Sequence, residues 1–277
     1  MNLENLLAGF PQQTCAVRGR KISYRESGAG SAVVLLHGIS SGSASWVRQL
    51  DGLQREHRVI AWDAPGYESS DALEPALPLA SDYAAVLHDF VECLGLSSFG
   101  LVGHSLGALM AAAYAHAHPG RVGPLVLLSP ARGYALADAA EREAKYTGRL
   151  EMLDRLGPEG LAQERASRLL SRNAGPEDIA WIARGMRRLN PGGYRQAAAM
   201  LAYDDLGRYT RGYEAAVAVG SGEVDGITPV AKCQAVARLY SHGSYASIPG
   251  VGHALYLEDP VRTGAFLRAA LAAQAGR

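Results

Sequence analysis

Cysteine is scarce in this chain: three residues in 277, at positions 15, 93 and 233. Odd in number and far apart in sequence, they do not make a disulfide framework and read as scattered thiols of a reducing compartment, so the expected location is the cytoplasm. The opening MNLENLLAGFPQQTCAV lacks the basic start and long apolar stretch of a signal peptide. No apolar run approaches membrane-spanning length. Charge of one sign is also missing: Lys+Arg and Asp+Glu both number 27, which removes the global field that would recruit nucleic acid or an anionic membrane. There is no H-E-x-x-H and no paired C-x-x-C, and His116 and His118 alone are too little for a metal site. No phosphate-cradling glycine loop follows a strand-like run. The expectation is a protein with no metal and no cofactor, a monomer or homodimer, whose partner is a small-molecule substrate and neither nucleic acid nor a membrane.

What is present is a regular alternation. Short apolar runs bounded by Gly, Pro or Asp (CAVRG, KISYRES, AVVLLHG, RVIAWD, FGLVGHS, LVLLSP, AAVAVGS and YASIPG) read as eight strands. Longer helical patterns lie between them, at ASWVRQLDGLQ, DYAAVLHDFVECLG, LGALMAAAYAHAH, AKCQAVARLY and VRTGAFLRAALAAQ. Strand, helix, strand is the signature of a mostly parallel sheet flanked by helices. Only a glycine–arginine turn separates the first two strands, which predicts an antiparallel hairpin at that edge. From Ala131 to Tyr213 no strand interrupts several amphipathic patterns punctuated by LGPEG, NAGPED and NPGG. This predicts a helical cap, residues 131–213, inserted into a core made of residues 1–130 and 214–277, and placed over the carboxyl ends of the strands where open α/β sheets bind ligands.

Two G-x-S-x-G pentapeptides occur. Around Ser105 an apolar strand ends at Gly103 and a helix begins at once, with Gly107, Ala108 and Ala111 as small neighbours. A nucleophile held in a strained strand-to-helix turn needs that context. Ser40, by contrast, is followed by polar and glycine residues up to Ser45 and reads as loop. That loop, LLHGISSGSASW, puts His37-Gly38 at a strand end, and the backbone N–H groups of Ile39 and Leu106 are the candidate donors for an oxyanion.

A serine hydroxyl needs a base, and the base needs a group to fix its tautomer. Of eight histidines, His253 follows the last strand in a turn with two glycines, whereas His57, His88 and His242 fall in or beside surface helices. Asp225 lies just past the seventh strand, with Gly226 beside it, and Glu223 competes two residues away. The candidate triad in chain order is Ser105, Asp225, His253.

These residues, with HG after the third strand, DAPGYESS at Asp63 to Ser70, GHSLG, GEVDGITP and GVGH, make the chain resemble the α/β-hydrolase fold superfamily with a helical cap. The turn beginning at Asp63 is similar to the family's D-x-P-G-x-G-x-S, with Glu68 in place of a small residue, a departure expected to touch loop packing and not chemistry. NPGGYRQAAAMLAYDDL is similar to a segment of the enol-lactonase-like group, such as the 3-oxoadipate enol-lactonases, and hydrolases of carbon–carbon bonds in ring-fission products are similar too. The resemblance implies a serine hydrolase that cleaves a small carboxylic ester or lactone through an acyl-enzyme, with C–C hydrolysis, cofactor-free perhydrolysis, or a ligand receptor with little turnover as alternatives. The serine at 105 separates it from dehalogenases and epoxide hydrolases of this fold, which use aspartate.

For the substrate the signal thins. The segment 131–213 carries 14 Lys+Arg against 11 Asp+Glu. Arg132, Arg187 and Arg188 are candidates to hold a substrate carboxylate. Trp181 is a further candidate lining residue, although Trp46, Trp181, Met186 and Met200 fit packing positions more readily.

Overall fold

The computed structural model describes residues 2–272. Eight strands, β1 (Gln13–Val17), β2 (Arg20–Ser27), β3 (Ser31–Leu36), β4 (His57–Trp62), β5 (Phe99–His104), β6 (Val122–Leu128), β7 (Val217–Gly222) and β8 (Gly243–Ile248), form one sheet in the order β1-β2-β4-β3-β5-β6-β7-β8. Pairs β1/β2 and β2/β4 are antiparallel, and the other pairs are parallel. All eight strands read from the sequence are present. The hairpin turn sits one residue earlier than expected, on Arg18 and Gly19 at φ 49° and 79°, the left-handed pair that matches the twist of a two-residue hairpin.

Period-two alternation sorts the strands' side chains onto two faces. Val34, Leu36, Ile60, Trp62 and Leu101 face one core, shared with α3 (Ala80–Cys93) and α4 (Leu106–Ala117). Val33, Leu35, Val59, Ala61 and Val102 face the other, shared with α1 (Leu3–Ala8), α2 (Val47–Leu53), α9 (Leu255–Glu258) and α10 (Pro260–Ala272). Helix α8 (Val230–Ala237) packs beside β7 and buries Cys233 and Val236. The α1 turn was not legible in the sequence. Six residues carry little periodicity, yet Asn2 caps it through Asn5 N–H at 2.8 Å, and Leu3 and Leu7 are buried. The last helix was read through Gln274; residues 273–277 lie outside the described residues.

Between β6 and β7 the chain runs through α5 (Ala139–Arg165), α6 (Pro176–Arg187) and α7 (Pro191–Tyr203), and no strand occurs there among the described residues. Asp138 caps α5, and Asn190 caps α7 ahead of a proline in its first turn. At LGPEG the chain kinks within α5, where Gly157 takes φ 61° ahead of Pro158. The Gly193 backbone in the first turn of α7 lies directly on Gly66, and a Cβ on either glycine would collide with the other's backbone. Cys15 and Cys93, far apart in sequence, come together in space: burial chiefly, with Cys93 adding to it, pushes the Cys15 thiol up to about 12, and the Cys93 thiol donates to Ala16 O at 3.9 Å.

Gly193→Ala is expected to destabilise the protein by about 1–3 kcal/mol, the usual cost of overpacking, read as a fall in melting temperature of about 2–4 °C per kcal/mol. An unchanged melting temperature would show that this backbone contact can open without cost.

Candidate active site

Ser105 occupies the turn between β5 and α4 at φ 52°, ψ −112°, a region a non-glycine residue adopts only when its surroundings impose it. The surroundings do so by contact. A Cβ on Gly107 would meet the Leu36 and His37 backbone, and one on Gly103 would meet the first turn of α4. Ser105 N–H donates to Leu128 O at 2.9 Å, and its carbonyl accepts from Ala131 N–H at 3.1 Å, so the turn is pinned to β6 as well as to β3.

The loop after β3 is held just as firmly. His37 accepts the Ala64 N–H on Nε2 at 3.0 Å and directs Nδ1 to Gly38 O at 2.8 Å. Asp63 accepts the Ser43 N–H at 2.6 Å and the Ser23 hydroxyl at 2.7 Å, and Tyr67 donates its hydroxyl to Ile39 O at 2.7 Å. Gly38 abuts the Ser105 side chain. Ile39 thus stands beside the turn whose next residue, Leu106, opens α4, where backbone N–H groups have no helical partner.

His253 follows β8 in a buried loop. Its Nδ1 is 2.9 Å from Asp225 Oδ2. The opposite oxygen, Oδ1, accepts the N–H groups of Ile227 at 2.7 Å and Thr228 at 2.9 Å. The Thr228 hydroxyl lies 2.8 Å from Asp225 Oδ2, 3.2 Å from His253 Nδ1 and 3.1 Å from Ser129 O. Burial alone would raise the Asp225 carboxyl, but the His253 hydrogen bond and charge, with the donors of Thr228, hold it down at about 2. Glu223 is elsewhere: exposed, it accepts the Gly250 N–H at 2.9 Å. His104 supports the histidine from behind, with Nε2 3.0 Å from His253 O and the two rings 4.8 Å apart. Glu258 of α9 ties the His253 loop to the insertion, accepting Gly252 N–H at 2.7 Å and Ser171 N–H at 2.9 Å, while Ala254 N–H donates to Leu169 O at 2.9 Å.

Ser105 and His253 open into one cavity of about 460 Å³, within the range of small-molecule sites. Its walls come from loops after β3, β4, β5, β6, β7 and β8 and from α5, α6, α7, α8 and α9. The candidates Arg132 and Trp181 line it, and so does Met186, which fitted packing better on sequence; Met200 is core. Arg187 and Arg188 do not line it: Arg187 pairs with Glu159 at 3.0 Å, and Arg188 pairs with Glu68. Glu68 itself lines the cavity, at φ 48°, so its departure from the small residue reaches the site as well as the loop. Sequence reading also missed Thr228, whose place three residues after Asp225 is the spacing of a side-chain cap, and Arg149, Arg165 and Tyr194, which only the fold brings to the cavity. No group of three or more potential metal ligands clusters among the described residues, and no helix there is long and apolar enough to cross a membrane.

A family model described as the α/β hydrolase fold matches residues 31–260, and the chain belongs to that family. A curated relative, a 2-hydroxy-6-oxononadienedioate/2-hydroxy-6-oxononatrienedioate hydrolase of Paraburkholderia phymatum, is 36% identical over 118 residues; the match spans 41% of this chain and 41% of that protein. Among solved structures, a thermophilic esterase from Thermogutta terrifontis with malate bound superposes with a TM-score of 0.84 at 27% identity, covering 95% of this chain and 98% of that one. An enol-lactonase from Burkholderia xenovorans superposes with a TM-score of 0.84 at 19% identity, a likeness of fold, covering 94% of this chain and 100% of that one.

Buried titratable groups around the site set an acid limit on stability. Burial lowers His37 from 6.5 to about 4 and His104 from 6.5 to about 3, so their contribution is complete above pH 6.5 and is lost as pH falls through that window. Asp63 runs the other way: burial raises it from 3.8 to about 6, so its contribution is present below pH 3.8 and lost above 6. Two protons against one give a net loss, so the free energy of unfolding by urea should fall from pH 7 to pH 4.5, and less steeply in His104→Gln. A flat or rising profile would contradict this assignment.

Proposed function

We propose that this protein is a serine hydrolase that cleaves a small carboxylic ester or lactone, with Ser105 as nucleophile, His253 as general base and Asp225 as its orienting carboxylate. The observation that carries the reading is the buried 2.9 Å contact from Asp225 to His253 Nδ1, because it leaves Nε2 as the basic nitrogen on the histidine that shares a cavity with Ser105.

The chemistry follows from these groups. Ser105 Oγ attacks the substrate carbonyl as His253 Nε2 takes its proton, and the oxyanion is held by the N–H groups of Ile39 and Leu106. The imidazolium forms beside an ionised Asp225 and then protonates the leaving oxygen. Water, deprotonated by the same nitrogen, splits the acyl-enzyme and returns Ser105 to its hydroxyl form. Residues 131–213 act as the cap that closes this space from water, a role supported by the cavity residues drawn from α5, α6 and α7. A second reading, hydrolysis of a C–C bond in a ring-fission product, is favoured by the stretch shared with the Paraburkholderia enzyme. We place the protein in the cytoplasm, a reading that its three free cysteines support, as a monomer or homodimer acting on a small molecule.

Ser105→Ala is expected to lower kcat on 4-nitrophenyl esters by at least about 10⁴-fold with little change in melting temperature. Asp225→Asn should lower it by about 10³- to 10⁴-fold through the wrong histidine tautomer, whereas Glu223→Gln should leave it near wild type. Turnover retained in Ser105→Ala would overturn the reading. Serine-dependent cleavage of a ring-fission dienoate but of no ester or lactone would establish the second one.

A further inference from the structure

The cavity's charges are unevenly matched. Glu68 is the one carboxylate among its described lining residues, and it is taken by Arg188. Of the lining arginines, Arg132 is paired with Asp205 at 2.9 Å and Arg184 with Glu4 at 2.7 Å. Arg149 and Arg165 are different. Both line the cavity from α5, both are half-buried, and neither makes an ion pair among the described residues. Arg149 donates to Lys145 O at 2.6 Å and lies over the Tyr134 ring at 5.4 Å, contacts that leave its positive charge unneutralised.

Tyr194, of α7, is the third residue of this group. It is 6% exposed and lines the same cavity. Burial raises its hydroxyl, and the positive charges of Arg149 and Arg165 act on it in the opposite direction. Two cations without a counter-charge and a phenolic donor, half-removed from water, form a site for an anion; planar guanidinium forks fit a carboxylate in particular. These residues come from the insertion, whereas Ser105 and His253 come from the strand ends, so the two groups belong to different walls of the cavity.

We propose that Arg149, Arg165 and Tyr194 form a carboxylate subsite, so that the substrate is an ester or lactone with a free carboxylate at the end away from the scissile carbonyl. This specificity rests on the serine-hydrolase reading above. It assigns the anchoring role to arginines other than the Arg187 and Arg188 that the sequence brought forward.

The test compares mono-4-nitrophenyl esters of succinic, glutaric and adipic acid with their terminal primary amides, which match them in shape and lack the charge. For at least one chain length the wild type should prefer the acid by about 10- to 100-fold in kcat/KM, the discrimination expected of charge-assisted hydrogen bonds. Arg165→Met and Arg149→Met should each reduce that ratio by about 10-fold, mainly through KM, while Arg187→Met, which alters an exposed ion pair outside the cavity, keeps it. An acid-to-amide ratio at or below one in the wild type, or variants that depress both esters equally, would overturn the subsite. If no ester is turned over, the ester reading fails by itself, and calorimetric titration with free succinate, glutarate and adipate decides the subsite: binding that is lost in Arg165→Met supports it, and no binding overturns it.

Discussion

Everything at the site depends on one close approach of backbone to backbone. Helix α4 starts so near the end of β3 that Gly107 touches the carbonyls of Leu36 and His37, and Gly103 touches the helix it precedes. No side chain fits in either place. The consequence is a turn with a single geometry, in which Ser105 keeps a positive φ because β3, β6 and α4 leave it nowhere else to go. The same contact brings the start of the β3 loop against the serine, so the two candidate oxyanion donors and the candidate nucleophile are set by one packing event. Asp63, Tyr67 and His37 then keep that loop from relaxing.

The second half of the site is organised by satisfaction of a buried charge. Asp225 is removed from water yet meets the N–H groups of Ile227 and Thr228, the Thr228 hydroxyl and the His253 ring. A carboxylate so surrounded remains ionised, and its only freedom is to hold the histidine. The cavity wall shows the opposite pattern, since Arg149 and Arg165 line it and make no ion pair among the described residues.

Much of this was legible because it is written in local pattern. Alternating Val, Leu, Ile and Gly marked the eight strands, and the glycines at 103 and 107 marked the turn, since small residues there have a steric cause that needs no knowledge of the rest of the chain. Asp225 and His253 could be placed because each follows a strand within a glycine-bearing turn. Pairing partners were not legible. That Arg188 is paired with Glu68, or that Arg165 makes no ion pair among the described residues, depends on which helix faces follow the kink at Gly157 and how α7 lies across Gly66. The meeting of Cys15 with Cys93 has the same origin, a contact between an edge strand and a helix end distant in sequence. Fold is periodic, whereas charge compensation is a property of the assembled surface.

Glu258 joins the loop that carries His253 to Ser171 of the insertion, and Ala254 is bonded to Leu169. The insertion and the histidine therefore share a mechanical linkage. Any displacement of this part of the insertion would be transmitted through those three hydrogen bonds to the loop that carries the imidazole.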